Sequence, residues 1–146
     1  MYRYQLLHYQ DLSLVSDSLS KLVYSSSPEL RAHFVELLPY LSVDTQKETI
    51  EVLIEDDDWL VREAVVRVIA RHLGKTYPHV LLSGLNDNTP EVRVQAVKGL
   101  GWNDIDAPLD SLRPLLLDDN PQVRLHTVRT IHRLHPNKIS TVPEYT

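Results

Sequence analysis

The sequence predicts an all-α fold, a solenoid of four stacked helix pairs in one domain. Three observations carry that prediction. A short motif recurs at a constant interval, the apolar residues around it repeat with helical period, and each copy opens on residues that start helices. The arginines of the motif, Arg31, Arg62, Arg93 and Arg124, stand 31 residues apart with no insertion between copies. An aliphatic residue precedes each one (Leu30, Val61, Val92, Val123), a valine follows four residues later (Val35, Val66, Val97, Val128), and Leu38, Ile69, Leu100 or Ile131 follows at seven. A fixed period of this length marks a repeat architecture, because one helix pair cannot bury its apolar stripe alone and stacked copies can.

The second helix of each pair, helix B, is predicted over 28–41, 59–72, 90–101 and 121–134. Ser27, Asp58, Thr89 and Asn120 precede these spans with side chains able to accept from the free N–H groups of a first turn. Pro28, Pro90 and Pro121 follow at the first helical position, where a missing N–H costs nothing. The apolar columns before the arginine and three, four and seven residues after it form one stripe of helical period. Gly74 reads as the terminator of the second copy.

Helix A lies upstream in each copy, over about 11–24, 44–55, 77–86 and 108–117, with columns Leu19/Ile50/Leu81/Leu112 and Val23/Ile54/Leu85/Leu116. The turns between the helices are acidic: Asp56-Asp57-Asp58, Asp87, Asp118-Asp119. The repeats therefore run about 11–42, 43–73, 74–104 and 105–135 in a single domain, 1–146. Residues 1–10, with Tyr2, Leu6 and Tyr9 at helical spacing, are expected to add a turn or to cap the first repeat. Its Ser-rich helix A suits an exposed end. Residues 136–146, with Pro136 and Pro143, read as an irregular tail. The last copy shows no cap, which leaves one side open to a partner or a second copy of the chain.

Composition narrows the function classes. With 42% hydrophobic and 24% charged residues, the chain has the balance of a folded domain rather than a disordered one. No apolar run approaches the ~20 residues that span a bilayer, and Met1-Tyr2-Arg3-Tyr4-Gln5 is too polar to open a signal peptide. Without cysteine there is no disulfide, thiolate nucleophile or zinc–thiolate site. These features fit a cytoplasmic protein. A net charge of -5 disfavours non-specific binding to nucleic acid or anionic membrane.

An aspartate, five residues, then arginine with valine before it, set in a helix pair, resembles a HEAT repeat of the short type named after phycobilisome lyases. The resemblance covers about 11–135 and places Asp56/Arg62, Asp87/Arg93 and Asp118/Arg124 at the family's Asp and Arg positions. The first copy departs from it, with Ser25 where aspartate would stand. The resemblance implies a right-handed superhelix whose repeats are joined by an Asp–Arg ladder and whose helices B line the concave surface. The residues agree on the ladder: the arginine column lies near the centre of the apolar stripe, so each guanidinium needs a buried partner, and the turn aspartates can supply one. Substituting Arg93 is therefore expected to destabilise the fold.

The opposite side of helix B, two, five and nine residues after each arginine, carries the candidate binding residues. It holds His33, Glu36 and Tyr40, then Ala64, Arg67 and Arg71, then Gln95, Lys98 and Trp102, then His126, Arg129 and Arg133. Five basic residues and one acid line it. With stacked helices ~8–10 Å apart, Arg67, Lys98 and Arg129 are expected to form a positive row, flanked by Trp102 and Tyr40 as aromatic anchors. The expected partner is an acidic segment of another protein. The plainer reading is a solvated helix face.

Other residues carry less. His132 and His135, with His126, lack the ligands that complete a metal site and read as surface histidines. Asp104-Ile105-Asp106 with Asp110 lacks the glycine and glutamate of a calcium loop and reads as a cap for the next helix. Gly84, Gly99 and Gly101 are expected to allow close helix approach in the third repeat. No catalytic residue, metal or cofactor is assigned. By resemblance, a subunit of a phycobilin lyase-like chromophore-handling enzyme is the alternative function, although no residue pattern marks a bilin site. Weak nucleic-acid binding through the basic stripe is the second alternative, with steep salt dependence as its mark.

Overall fold

A computed structural model describes residues 19–139, and all regular structure among them is helical, as the solenoid requires. Residues 1–18, which hold the expected N-terminal cap and most of the first helix A, lie outside the described residues, as do 140–146. The chain divides into two compact units, Met1–Val68 and Ile69–Thr146.

In the first unit, a 3-10 turn (Ser20–Tyr24) leads to α1 (Pro28–Val35), a second 3-10 turn (Leu38–Tyr40), α2 (Val43–Leu53) and α3 (Trp59–Val68). The Ser27 side chain caps α1 by accepting from the Leu30 N–H at 3.2 Å. The helix predicted through residue 41 stops at Val35. Pro39 has no N–H to donate, and its ring would strike the carbonyl four residues back, so the chain tightens into a 3-10 turn. α1 packs on α3, and Val23, Phe34, Val35, Leu38, Leu53, Val61 and Val65 fill the core. Gln46, buried in α2, donates to the Leu38 carbonyl at 3.0 Å.

The second unit opens on a π-helical turn (Ile69–Leu73), followed by α4 (Pro78–Gly84), α5 (Pro90–Trp102), α6 (Leu109–Leu112), a 3-10 turn (Arg113–Leu117), α7 (Pro121–Leu134) and α8 (Pro136–Ile139). Pro114 splits the helix predicted over 108–117 by the same mechanism as Pro39. The π turn replaces the end of the helix predicted to residue 72, and the Asn103 side chain donates to the Ala70 carbonyl there at 2.8 Å. α5 packs against α4, the π turn and α7. Its glycines set how closely. A Cβ on Gly99 would lie 2.6 Å from Ala70 Cβ, and one on Gly101 would lie 2.9 Å from Thr130 Oγ1. Leu81, Val92, Val97, Leu100, Leu112 and Val123 are fully buried around these contacts.

Two expectations need correction here. Residues 136–139 are not irregular: Pro136 opens a short helix, the position proline favours. Asp104 does not cap the following helix. It takes a left-handed conformation (φ 51°) just past α5, where the Ile105 N–H reaches back to the Leu100 carbonyl at 3.1 Å and closes the helix end. No described helix is long and apolar enough to cross a membrane.

Candidate functional site

The motif arginines use their two edges differently. One edge is anchored within the copy: Nη1 of Arg31, Arg62, Arg93 and Arg124 donates at 2.6 Å to the backbone carbonyl six residues earlier, at Ser25, Asp56, Asp87 and Asp118. That contact needs no aspartate side chain, so Ser25 serves as well. Its hydroxyl also accepts the Ser27 N–H at 3.2 Å, as the carboxylates of Asp56, Asp87 and Asp118 accept the N–H two residues on at 2.9 Å.

The other edge reaches into the next copy. Arg31 grips Asp56 through Nε and Nη2 at 2.8 and 2.9 Å, and Arg93 grips Asp118 at 2.8 and 3.0 Å. The side-chain partners are thus 25 residues apart, whereas the Asp and Arg of one motif meet only through a backbone carbonyl. Burial acts to raise the Asp56 and Asp118 carboxyls. Their arginine hydrogen bonds, the N–H two residues on and the nearby arginine charges outweigh it and hold both below the usual carboxylate range. A carboxyl lowered on folding stabilises the native state above its ordinary range, and that contribution is lost as pH falls through the lowered value. The ladder is therefore a source of acid sensitivity.

On the opposite side of helix B, the first unit places Arg67 between two acids. Its Nη2 is 2.7 Å from Glu36 and its Nε is 3.0 Å from Glu63, one turn earlier on α3. Tyr40 is exposed in the 3-10 turn that follows α1, and His33 is exposed on α1. Ala64, which the helical spacing sets on this side, is only 1% exposed.

The second unit holds the remaining candidates. Arg71 lies on the π turn, Lys98 and Trp102 on α5, and Arg129 and Arg133 on α7. Trp102 is 49% exposed, with Lys98 Nζ 5.0 Å from its ring centroid. Arg133 is paired to Asp104 at 3.0 Å, and that hydrogen bond holds the Asp104 carboxyl below its usual range. Arg71, Lys98 and Arg129 form no ion pair among the described residues. His126 is half-buried beside two of them: burial lowers its pKa first, and the charges of Lys98 and Arg129 lower it further. Near them on α5, Gln95 Oε1 is buried with no hydrogen-bond partner among the described residues.

Two of these features escaped the sequence reading. Glu63 was visible in principle, since an acid four residues before a basic residue pairs with it on a helix. Asp104 lies 29 residues from Arg133 and had no local signal. His135 is likewise not a plain surface histidine, because its Nε2 lies 2.8 Å from the Ala107 carbonyl and the ring is half-buried. No cluster of three or more potential metal ligands occurs among the described residues.

Residues 78–141 match the family model described as HEAT repeats. The match spans α4 to α8 and so includes Lys98, Trp102, Arg129 and Arg133. Comparison with curated proteins gives no match.

Proposed function

We propose that this chain, whose residues 78–141 match the HEAT-repeat family model, is a non-catalytic protein-binding module that grips an acidic segment of its partner on the helix-B side of the second unit. The observation that carries this reading is charge left unneutralised. Arg67 is held by Glu36 and Glu63 and Arg133 by Asp104, but Arg71, Lys98 and Arg129 have no carboxylate partner among the described residues. Half-buried Lys98 over the exposed Trp102 ring, with the exposed Arg71 and Arg129, offers both halves of a hot spot: an aromatic surface to cover and charges that favour an anionic partner. Arg67 and Tyr40, in the first unit, are secondary contributors in this reading.

The test is capture by the full chain, followed by quantified binding of a fluorescein-labelled, glutamate-rich ten-residue peptide. The Lys98→Glu/Arg129→Glu double variant should lose a partner that the wild type retains. Its peptide affinity should fall by about 100-fold, the loss expected for two reversed charges at about 1.4 kcal/mol each, with an unchanged circular dichroism spectrum. Equal binding by both proteins would remove this face from the proposal. Tighter binding to an oligonucleotide than to the peptide, with a steep salt slope, would replace the protein partner with nucleic acid.

A further inference from the structure

The last copy of the repeat differs from the others along one arc of its second helix. Val35, Val66 and Val97 are at most 2% exposed, but Val128 in the same column is 50% exposed. The side chains of Arg31 and Arg93 are well covered and clasp carboxylates. Arg124 is exposed and bonds, among the described residues, only the backbone carbonyls of Asp118 and Asp119. At about 100° per residue, Arg124, Val128 and Leu125 share an arc of α7 separate from Val123, Thr127, Thr130 and Ile131, which are buried. Arg124 and Val128 lie about 100° or more from His126, Arg129 and Arg133, while Leu125, one turn before Arg129, borders the basic face described above.

α5 shows what such an arc is shaped to receive. There the positions equivalent to Arg124 and Val128 are Arg93 and Val97, Gly101 follows one turn on, and α7 packs against this helix. Asp118, from the turn leading into α7, takes Arg93, and Thr130 donates to the Val97 carbonyl at 2.8 Å. Arg124 is anchored through Nη1 in the manner of the other three arginines, so its Nε–Nη2 edge is the one that faces an incoming carboxylate.

We propose that this arc of α7 docks a helix of another protein, one preceded by a turn whose aspartate takes Arg124 as Asp118 takes Arg93. The charge specifies the carboxylate and the exposed valine and leucine specify an apolar helix face behind it. A second copy of this chain stacked head to tail would present Ser25 at that place, which has no carboxylate. His132 stands where α5 has Gly101, so the incoming helix stays further out at that turn than α7 does on α5.

The test uses the full chain and a synthetic peptide with the sequence of residues 117–134, held helical by a side-chain staple and carrying Asp118 ahead of its first turn, followed by fluorescence anisotropy. Saturable binding is expected. It should weaken about tenfold with Asp118→Ala in the peptide or Arg124→Ala in the chain, with no further loss when the two are combined. Val128→Glu in the chain should weaken it comparably without touching the ladder, and thermal melts of both variants show whether the fold is intact. Absent binding, or binding indifferent to Arg124→Ala and Val128→Glu in folded protein, overturns the proposal. Binding that arises only after removal of residues 140–146 also overturns it, by making the chain's own end the occupant. So does concentration-dependent self-association abolished by Val128→Glu, which assigns the arc to a second copy.

Discussion

Arg67 in the first unit and Lys98 and Arg129 in the second occupy the same column of the repeat, yet only Arg67 is neutralised. The difference comes from the residue one turn earlier. That position is Glu63 in α3, Val94 in α5 and Leu125 in α7. Arg67 thus has an acid four residues back and a second, Glu36, at the end of α1. Lys98 instead leans over Trp102. A repeat column therefore sets where a charge is placed, and its immediate helical neighbours set whether it remains available. Pairing with both acids also overrides the burial that acts to lower the Arg67 pKa, leaving it raised. The first unit spends Arg67 internally, whereas Lys98 and Arg129 of the second have no carboxylate partner among the described residues.

Transplanting the difference gives the largest expected effect. Val94→Glu with Leu125→Glu places an acid one turn before Lys98 and before Arg129, as Glu63 stands before Arg67. Affinity for the acidic peptide should fall about 30-fold, roughly 2 kcal/mol, as two cations acquire internal partners and the face gains two anions. Neither position is fully buried, so the melting temperature should change little. If the doubly substituted protein keeps wild-type affinity in anisotropy, neutralisation by the preceding turn is not what separates the two units.

The reverse change is smaller. Glu36→Gln with Glu63→Gln leaves Arg67 without its acids, and affinity for the same peptide should rise about threefold, under 1 kcal/mol. The gain should vanish with added salt. A rise that survives high salt would point to a conformational effect instead of a freed charge.

How much of this was legible in the sequence depends on the range of the interaction. The helix-B register was plain, because four copies at a constant interval print the apolar stripe four times. α7 runs Pro121–Leu134, as predicted. The interruptions at Pro39 and Pro114 were also visible, but aligned columns favoured an unbroken helix, and the local rule for proline prevailed. The ladder residues were identifiable, yet their pairing was not. Asp56 and Arg62 are neighbours in the motif, but the carboxylate of Asp56 serves Arg31, because the guanidinium spends its near edge on a backbone carbonyl. Ala64 misled for a geometric reason. An isolated helix has one apolar face, whereas a helix inside a stack is covered on more than one side, and a small residue at the margin is buried with it. Arg133 and Asp104 meet only through the folded helix pair.

The smallest expected effect concerns His126, which lies beside Lys98 and Arg129 in the second unit. Lys98 from α5 and Arg129 from α7 both act on it, and burial already holds its pKa below the ordinary value, so it is neutral at pH 7. An acidic peptide favours the protonated ring, so the bound state takes up protons more readily than the free state. Affinity should then increase as pH falls from about 7.5 toward 5.5, by about twofold, before the carboxylates of the peptide begin to protonate. His126→Gln should flatten that profile while leaving affinity at pH 7.5 close to wild type. In the first unit the equivalent position is Ala64 in α3 and the exposed His33 in α1. A profile that stays pH-dependent in His126→Gln would move the titrating group elsewhere and remove His126 from the face.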